Sequence, residues 1–294
     1  MDGIIVVNKE KNMTSHDVVA QIRKIFGTKK VGHLGTLDPL ATGVLVVTLN
    51  NATKLAQFIE NVDKTYLATI CLGKATTTYD LEGEVTIVSP VFPSDITETM
   101  VDCAIQQFIG EIEQVPPIYS AIKVEGKKLY EYAREGKNVL VEPRKIQIWE
   151  AQRVTPLSYD SGCCFFQVKL TVSKGTYIRS FCYDLAKRLG TVGLMSDLVR
   201  LRSGRYTVDD AFSLAEIKTG KYRLYNMLDA IENFPKIEGE EVAHKASHGM
   251  KISKTFVEKI CNGLPETIAV CKESRLLAIY QLDENCYKAV RVWN

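Results

Sequence analysis

With 294 residues the chain can bury a substantial core, as one large domain alone or with a small companion. Hydrophobic residues at 46% and charged residues at 24% are ordinary for a soluble globular protein, and no apolar run reaches the roughly 18 residues of a membrane span. The start, MDGIIVVNKE, carries Asp2 and too short an apolar run for a secretion signal, so a cytoplasmic location is expected, and a net charge of +2 neither marks nor excludes a nucleic-acid partner.

Residues 3–7 read as a short buried strand. Thr14 or Ser15 then caps a helix, with Asp17 in its first turn favouring the N-terminal dipole and Gly27 ending it. Val18, Val19, Ile22, Ile25 and Phe26 recur at helical spacing. Lys29 and Lys30 lead into GHLGTLDPLATGVL, residues 32–45. This stretch holds one carboxylate, Asp38, among Gly32, Gly35 and Gly43; Pro39 follows it and His33 stands five residues before it. Glycine permits backbone shapes that other residues resist, and proline biases the residue before it away from the α region. The segment reads as a shaped loop presenting one acid, or equally as an Asp-Pro turn. The strand 44–47 follows.

Residues 51–60 read as a second helix, with Leu55, Phe58 and Ile59 toward the core. Strands are expected at 64–72 and 83–88 around a Gly/Thr/Asp-rich connection, then a helix over about 97–109 stopped by Gly110. Pro116 and Pro117 open a strand at 118–124, Glu125 and Gly126 signal a turn, and 127–134 looks helical. Residues 145–153 and 163–172 read as paired strands. In the second, Phe166, Val168, Leu170 and Val172 alternate with Gln167, Lys169 and Thr171, so one face is buried. A helix at 178–189 ends at Gly190. Strands and helices mix without regular βαβ alternation, which points to an α/β (α+β) fold with a mixed, largely antiparallel central sheet flanked by helices. NFPKIEGE, 233–240, marks a boundary between a main domain, 1–235, and a small β-rich appendage, 236–294. The appendage should hold a helix at 254–262 and strand-like runs at 269–270 and 276–281.

The eight cysteines include no C-x-x-C and no Cys/His cluster, so they read as reduced thiols and no metal site is expected. Cys163 and Cys164, neighbours in a strand, would point to opposite faces. Between residues 169 and 205 there are eight basic residues: Lys169, Lys174, Arg179, Lys187, Arg188, Arg200, Arg202 and Arg205. The acids there are Asp184 and Asp197 alone. Such a local excess suits a phosphate backbone, although a solvated surface is the commoner origin.

GHLGTLDPLATGVL resembles the central motif of the TruB-type pseudouridine synthases, which make pseudouridine in the T-loop of tRNA. Further stretches resemble the same family in the same order. VVNKEKNMTSHDVV resembles its N-terminal element, with Glu10 and Asn12 where proline and glycine are usual. NATKLAQF brings Lys54, KTYLATICLG brings Tyr66, and TTTYDLEG brings Asp80. VPPIYSAIKVEGKKLYEYAREG is similar to another family segment, SKGTYIRSFCYDLAKRLG brings Tyr177 and Arg179, and LVRLRSG brings Leu198. The resemblance runs over about residues 3–215, and the tail is similar in size and place to the family's PUA-like RNA-binding module. Taken singly, Tyr66 is a strand aromatic, Leu198 core, His33 a loop histidine and Arg179 a surface charge. Their joint order carries the functional reading.

The resemblance implies the pseudouridine synthase fold and cofactor-free, metal-free isomerisation of uridine. Asp38 would be the nucleophile and Arg179 its aiming counter-charge. Tyr66 would stack on the uracil and help move a proton, with Tyr177 and Leu198 as pocket walls. His33 would fill the gap left by the flipped-out base. Lys9, Lys29, Lys30, Lys54 and the basic stretch ending at Arg205 would hold phosphates, and Asp80 belongs to the substrate-binding set. A monomer acting on the tRNA T-arm, without a membrane or obligatory protein partner, is expected. The dyskerin class, guided by RNA–protein particles, shares the GTLDP core. The continuation ATGVL, the short tail and the lack of Lys-rich extensions favour a stand-alone enzyme. A non-catalytic tRNA-binding or folding module is the reading from another class, and intact Asp38, Tyr66 and Arg179 count against it.

Overall fold

The computed structural model describes residues 1–137 and 139–293. Among these, seven strands form the main path of a ten-stranded sheet: β1 (Gly3–Lys9), β2 (Thr42–Leu49), β3 (Lys64–Leu72), β4 (Gly110–Gln114), β5 (Arg144–Arg153), β6 (Cys163–Val172) and β7 (Gly193–Ser203). Their spatial order is β1-β2-β7-β3-β6-β5-β4. Neighbours on this path are antiparallel except β2 and β7, so the mixed, largely antiparallel sheet read from the sequence is present.

Three helices, α1 (Ser15–Phe26), α2 (Glu98–Gln106) and α3 (Ile178–Arg188), cover one face. Val18 and Ile22 of α1, Val101 and Ile105 of α2, and Phe181 and Leu185 of α3 share one core with the inward residues of β1, β2, β3 and β6. On β1, Ile5 and Val7 enter that core, whereas Ile4 and Val6 pack with Tyr206 and Tyr225 on the opposite face. Burial on both faces explains the unbroken apolar run. Thr14 is the N-cap of α1: its Oγ1 accepts from the Asp17 amide at 3.1 Å while the Asp17 carboxylate accepts from the Thr14 amide at 2.9 Å. Cys163 joins Cys71 and Leu194 while Cys164 joins the main core, as opposite faces require.

The elements depart from expectation in several places. Residues 50–59 split into a 3-10 segment, Asn50–Leu55, and a single α turn, Ala56–Ile59. In the span 118–124 only Lys123–Val124 pairs, with Lys127–Lys128, because Pro116 and Pro117 supply no amide donors and the chain leaves the sheet there. The strands Gly110–Gln114 and Gly193–Ser203 were absent from the sequence reading. The first has acids at alternate positions and lies at the sheet edge. The second is crossed by two register shifts, at Met195/Asp197 and Arg200/Arg202, which break its period-two pattern.

A second, five-stranded sheet is built from Lys236–Glu238, Ile252–Ser253, Thr267–Lys272, Arg275–Leu282 and Cys286–Val292. It has a core of its own, including Ile237, Val257, Val270, Tyr280 and Tyr287. A separate cluster joins it to the main body, where Ala269, Leu276, Ile279 and Trp293 meet Leu55 and Ile231. The Trp293 indole donates to the Asn51 carbonyl at 3.0 Å across this contact. No helix among the described residues is long and apolar enough to cross a membrane.

Candidate active site

Asp38 sits in the loop between the strand Val31–Leu34 and β2. It is a turn and a shaped loop at once. The Asp38 carbonyl accepts from the Ala41 amide at 3.0 Å, closing the turn. Gly35 enters with φ +70°, a conformation that suits glycine. The backbone on both sides is tied down: the Ser15 hydroxyl accepts from the Leu37 amide at 2.9 Å, and the Asn12 amide donates to the Pro39 carbonyl at 2.9 Å.

Arg179 meets this carboxylate from the second residue of α3. Its Nε lies 3.0 Å from Asp38 Oδ2 and its Nη2 donates to Oδ1 at 3.4 Å, a two-point contact that fixes orientation as well as distance. A cation in the first turn opposes the helix dipole, so other acceptors must hold it. They are the Thr78 carbonyl at 3.1 Å, the Tyr119 carbonyl at 3.0 Å and Asp80 Oδ2 at 3.6 Å. The Arg179 side chain is 8% exposed and that of Asp38 37%, so the pair has one buried end and one end open to an incoming molecule. Glu82 follows closely, its carboxyl pushed up by burial and by Asp80 and Asp38.

The opening leads into a cavity of about 640 Å³, within the range of small-ligand sites. Asp38, Tyr66, Tyr177, Arg179 and Leu198 all line it. Tyr66 comes from β3 and Leu198 from β7, neighbouring central strands of the sheet. Tyr177 precedes α3 and is held at its backbone by Gln114, whose Oε1 accepts at 2.8 Å and whose Nε2 donates at 3.0 Å. Burial pushes the Tyr177 hydroxyl up. Two buried cations also line the cavity: Lys64, which the sequence reading missed, and Arg200, which it had set among the phosphate-holding residues. Lys64 had a usable signal: it stands two residues before Tyr66, so a strand places both on one face. Burial, then Arg200 and Lys174, bring its ammonium down to about 8. Tyr119 contributes through its backbone carbonyl, which no side-chain motif reveals.

Three expectations are corrected by burial. Lys9 does not face phosphate: it is 0% exposed, and its ammonium donates to the carbonyls of Glu10, Met13 and Pro39. Asp80 does not line the cavity; it is buried behind Arg179, accepting from the Thr78 hydroxyl and the Glu82 amide. The basic stretch is not one surface stripe. Arg179 and Arg200 are buried, Arg202 turns to Thr65 and the Gly204 carbonyl, and Arg205 pairs with Glu232. Lys54 is exposed and His33 half-buried, and neither lines the cavity. His33 lies opposite Val47, and burial, with His16 and Arg200, lowers its pKa and favours a neutral ring.

Residues 23–178 match the TruB family pseudouridylate synthase (N terminal domain). A protein from Halalkalibacterium halodurans named tRNA pseudouridine synthase B is 38% identical over 96% of this chain and 93% of its own length. One of the same name from Streptococcus agalactiae serotype III is 40% identical over 99% and 98%. Among solved structures, that of a Cbf5-Nop10-Gar1 complex contains a chain that aligns with TM-score 0.72 and 25% identity, over 99% of this chain and 84% of the other. With its sheet, its Asp38 loop and its near full-length relatives in agreement, the chain belongs to the TruB family of pseudouridylate synthases.

Proposed function

We propose that this protein is a stand-alone enzyme that converts a uridine in the T-loop of tRNA to pseudouridine, with Asp38 as its nucleophile. The observation that carries the reading is the two-point Asp38–Arg179 contact at the edge of a cavity walled by Tyr66, Tyr177 and Leu198. Isomerisation breaks the N1–C1′ bond, turns the uracil and joins C5 to C1′; C5 gives up a proton and N1 gains one. Nothing is oxidised and nothing leaves. The requirements are therefore a nucleophile, a proton path from C5, and walls that retain the detached base.

Among the described residues, Asp38 is the one carboxylate that is both aimed by a buried cation and open to the cavity. Tyr66 offers a ring face for the base and a hydroxyl for the proton from C5. Arg179 keeps the carboxylate in place as charge develops, since Asp80 and two carbonyls hold the guanidinium independently of substrate. The target base must leave the T-loop to reach this depth, which costs a few kcal/mol of stacking and pairing. His33, beside the loop but outside the cavity and with its pKa lowered by burial, would occupy the vacated stack. Exposed Lys29, Lys30 and Lys54 then serve the phosphates, and the C-terminal sheet from Lys236 onward extends the RNA contact as a PUA-like module.

The Cbf5 likeness raises a second reading, an enzyme that works within a complex. One experiment separates the two. The purified protein alone is incubated with unmodified tRNA transcripts, and modified uridines are mapped. Pseudouridine at a single T-loop uridine supports the proposal, while conversion that requires guide RNA or added proteins contradicts it.

A further inference from the structure

Arg200 follows Leu198 by two residues on β7 and is 1% exposed. A guanidinium taken out of water needs acceptors for its donors. Among the described residues Arg200 has no carboxylate within salt-bridge distance; it spends its donors on backbone carbonyls. Nε donates to Val44 at 2.6 Å, Nη2 to Gly35 at 2.9 Å and Nη1 to Thr36 at 3.5 Å. Gly35 and Thr36 begin the segment that carries Asp38, and Val44 lies where the chain has entered β2. One rigid fork therefore grips both ends of the Asp38 loop.

The loop is shaped to receive it. A Cβ on Gly35 would sit 3.3 Å from Arg200 Nη1, and Gly35 already has φ +70°. At Gly43 a Cβ would sit 2.3 Å from the Arg200 carbonyl oxygen, closer than any real contact allows. Both glycines permit the approach of loop and β7 that brings the guanidinium to its carbonyls. A lysine has a single point charge and cannot span three diverging acceptors.

We propose that Arg200 is a positioning residue for the isomerisation: it fixes both ends of the Asp38 loop and so sets where the carboxylate meets Arg179 and the substrate. This rests on the reading of Asp38 as nucleophile. It also replaces the expectation that Arg200 holds phosphate. The distinction is measurable, because a phosphate contact acts on affinity and a loop brace acts on the rate once RNA is bound.

The test uses the full-length protein, Arg200→Lys and Gly35→Ala, with a radiolabelled T-arm minihelix. Binding is measured over a range of salt, and single-turnover conversion is measured at saturating protein. Misplacing a reacting group by about 1 Å can cost on the order of 100-fold in rate, so a loss of roughly 10- to 100-fold is expected for both variants. Affinity and its salt dependence should stay at wild-type values. Gly35→Ala disturbs the same contact from the loop side, and it decides the question should Arg200→Lys fold poorly. Wild-type rates at saturation in both variants would overturn the proposal. So would weaker binding by a third variant, Arg200→Gln, which removes the charge, with a salt slope reduced by about one, the mark of a lost phosphate contact. A wild-type protein that bound the minihelix without converting it would sink the parent reading and this inference with it, an outcome distinct from failure of the variants alone.

Discussion

Taking the charge from Asp38 leaves Arg179 with Asp80 and the carbonyls of Thr78 and Tyr119, so the guanidinium stays matched. Taking away Arg179 instead strands Asp80, whose side chain is 4% exposed. Breaking a buried pair from one side costs about 3–5 kcal/mol, so Asp38→Asn is the cleaner probe of chemistry and Arg179→Ala mixes chemistry with stability. Lys64 sets a pH limit. Its ammonium, brought down to about 8 by burial and by Arg200 and Lys174, keeps its charge below that pH and loses it above. Affinity for a T-arm minihelix should therefore fall between pH 7 and 9, and Lys64→Gln should bind more weakly with little pH dependence. Unfolding through this group does not account for such a fall. A lysine with a lowered folded pKa costs stability while charged, and that cost fades as pH rises from about 8 toward its ordinary value of 10.5. Binding by the wild type that is flat across this range would show that the Lys64 charge does not contribute to affinity. Motif order was enough to nominate Asp38, Tyr66, Tyr177, Arg179 and Leu198, which the fold brings to one cavity. It misjudged Lys9, Asp80 and Arg200, because charge in a sequence is first read as surface. What holds these three is a set of backbone carbonyls, an amide and one guanidinium, some from adjacent residues and some from distant segments.

At the scale of elements, the site depends on the β2–β7 contact, the parallel pair of the main sheet path. Gly43 faces Arg200 there with φ +96°, and a Cβ would meet the Arg200 carbonyl oxygen at 2.3 Å. Gly43→Ala should therefore lower thermal stability, with backbone strain of about 1–3 kcal/mol, and should reduce turnover as β7 is pushed from the loop. Unchanged melting and turnover would show that this close approach is dispensable. The helix α1 was legible because its apolar spacing, its Thr14 cap and its terminating Gly27 agree, and α3, which has no side-chain cap, through Gly190 just past its end. β7 was not, since its two register shifts put Asp197, Arg200 and Arg202 where alternation would place apolar residues. Leu198 and Arg200 lie in regular register between the two shifts, two residues apart on one face, so one strand presents Leu198 to the cavity and Arg200 to the loop.

Over the whole molecule, the Asp38 cavity and the C-terminal sheet lie on one framework. Trp293 and Leu276 pack against Leu55, in the segment that precedes Glu60 and Lys64 at the cavity. A shift in composition near residue 235 was visible in the sequence; the cluster that joins the tail to the body was not, because its members are apolar residues with no local pattern in common. Under the proposed function, binding by an extended RNA surface and chemistry at Asp38 are separable, and that separation gives the sharpest test. Wild type and Asp38→Asn are mixed with the same radiolabelled T-arm minihelix, and both binding and pseudouridine formation are followed. The account predicts that Asp38→Asn binds the RNA with near wild-type affinity and forms no pseudouridine. Conversion by Asp38→Asn at the wild-type rate would contradict it.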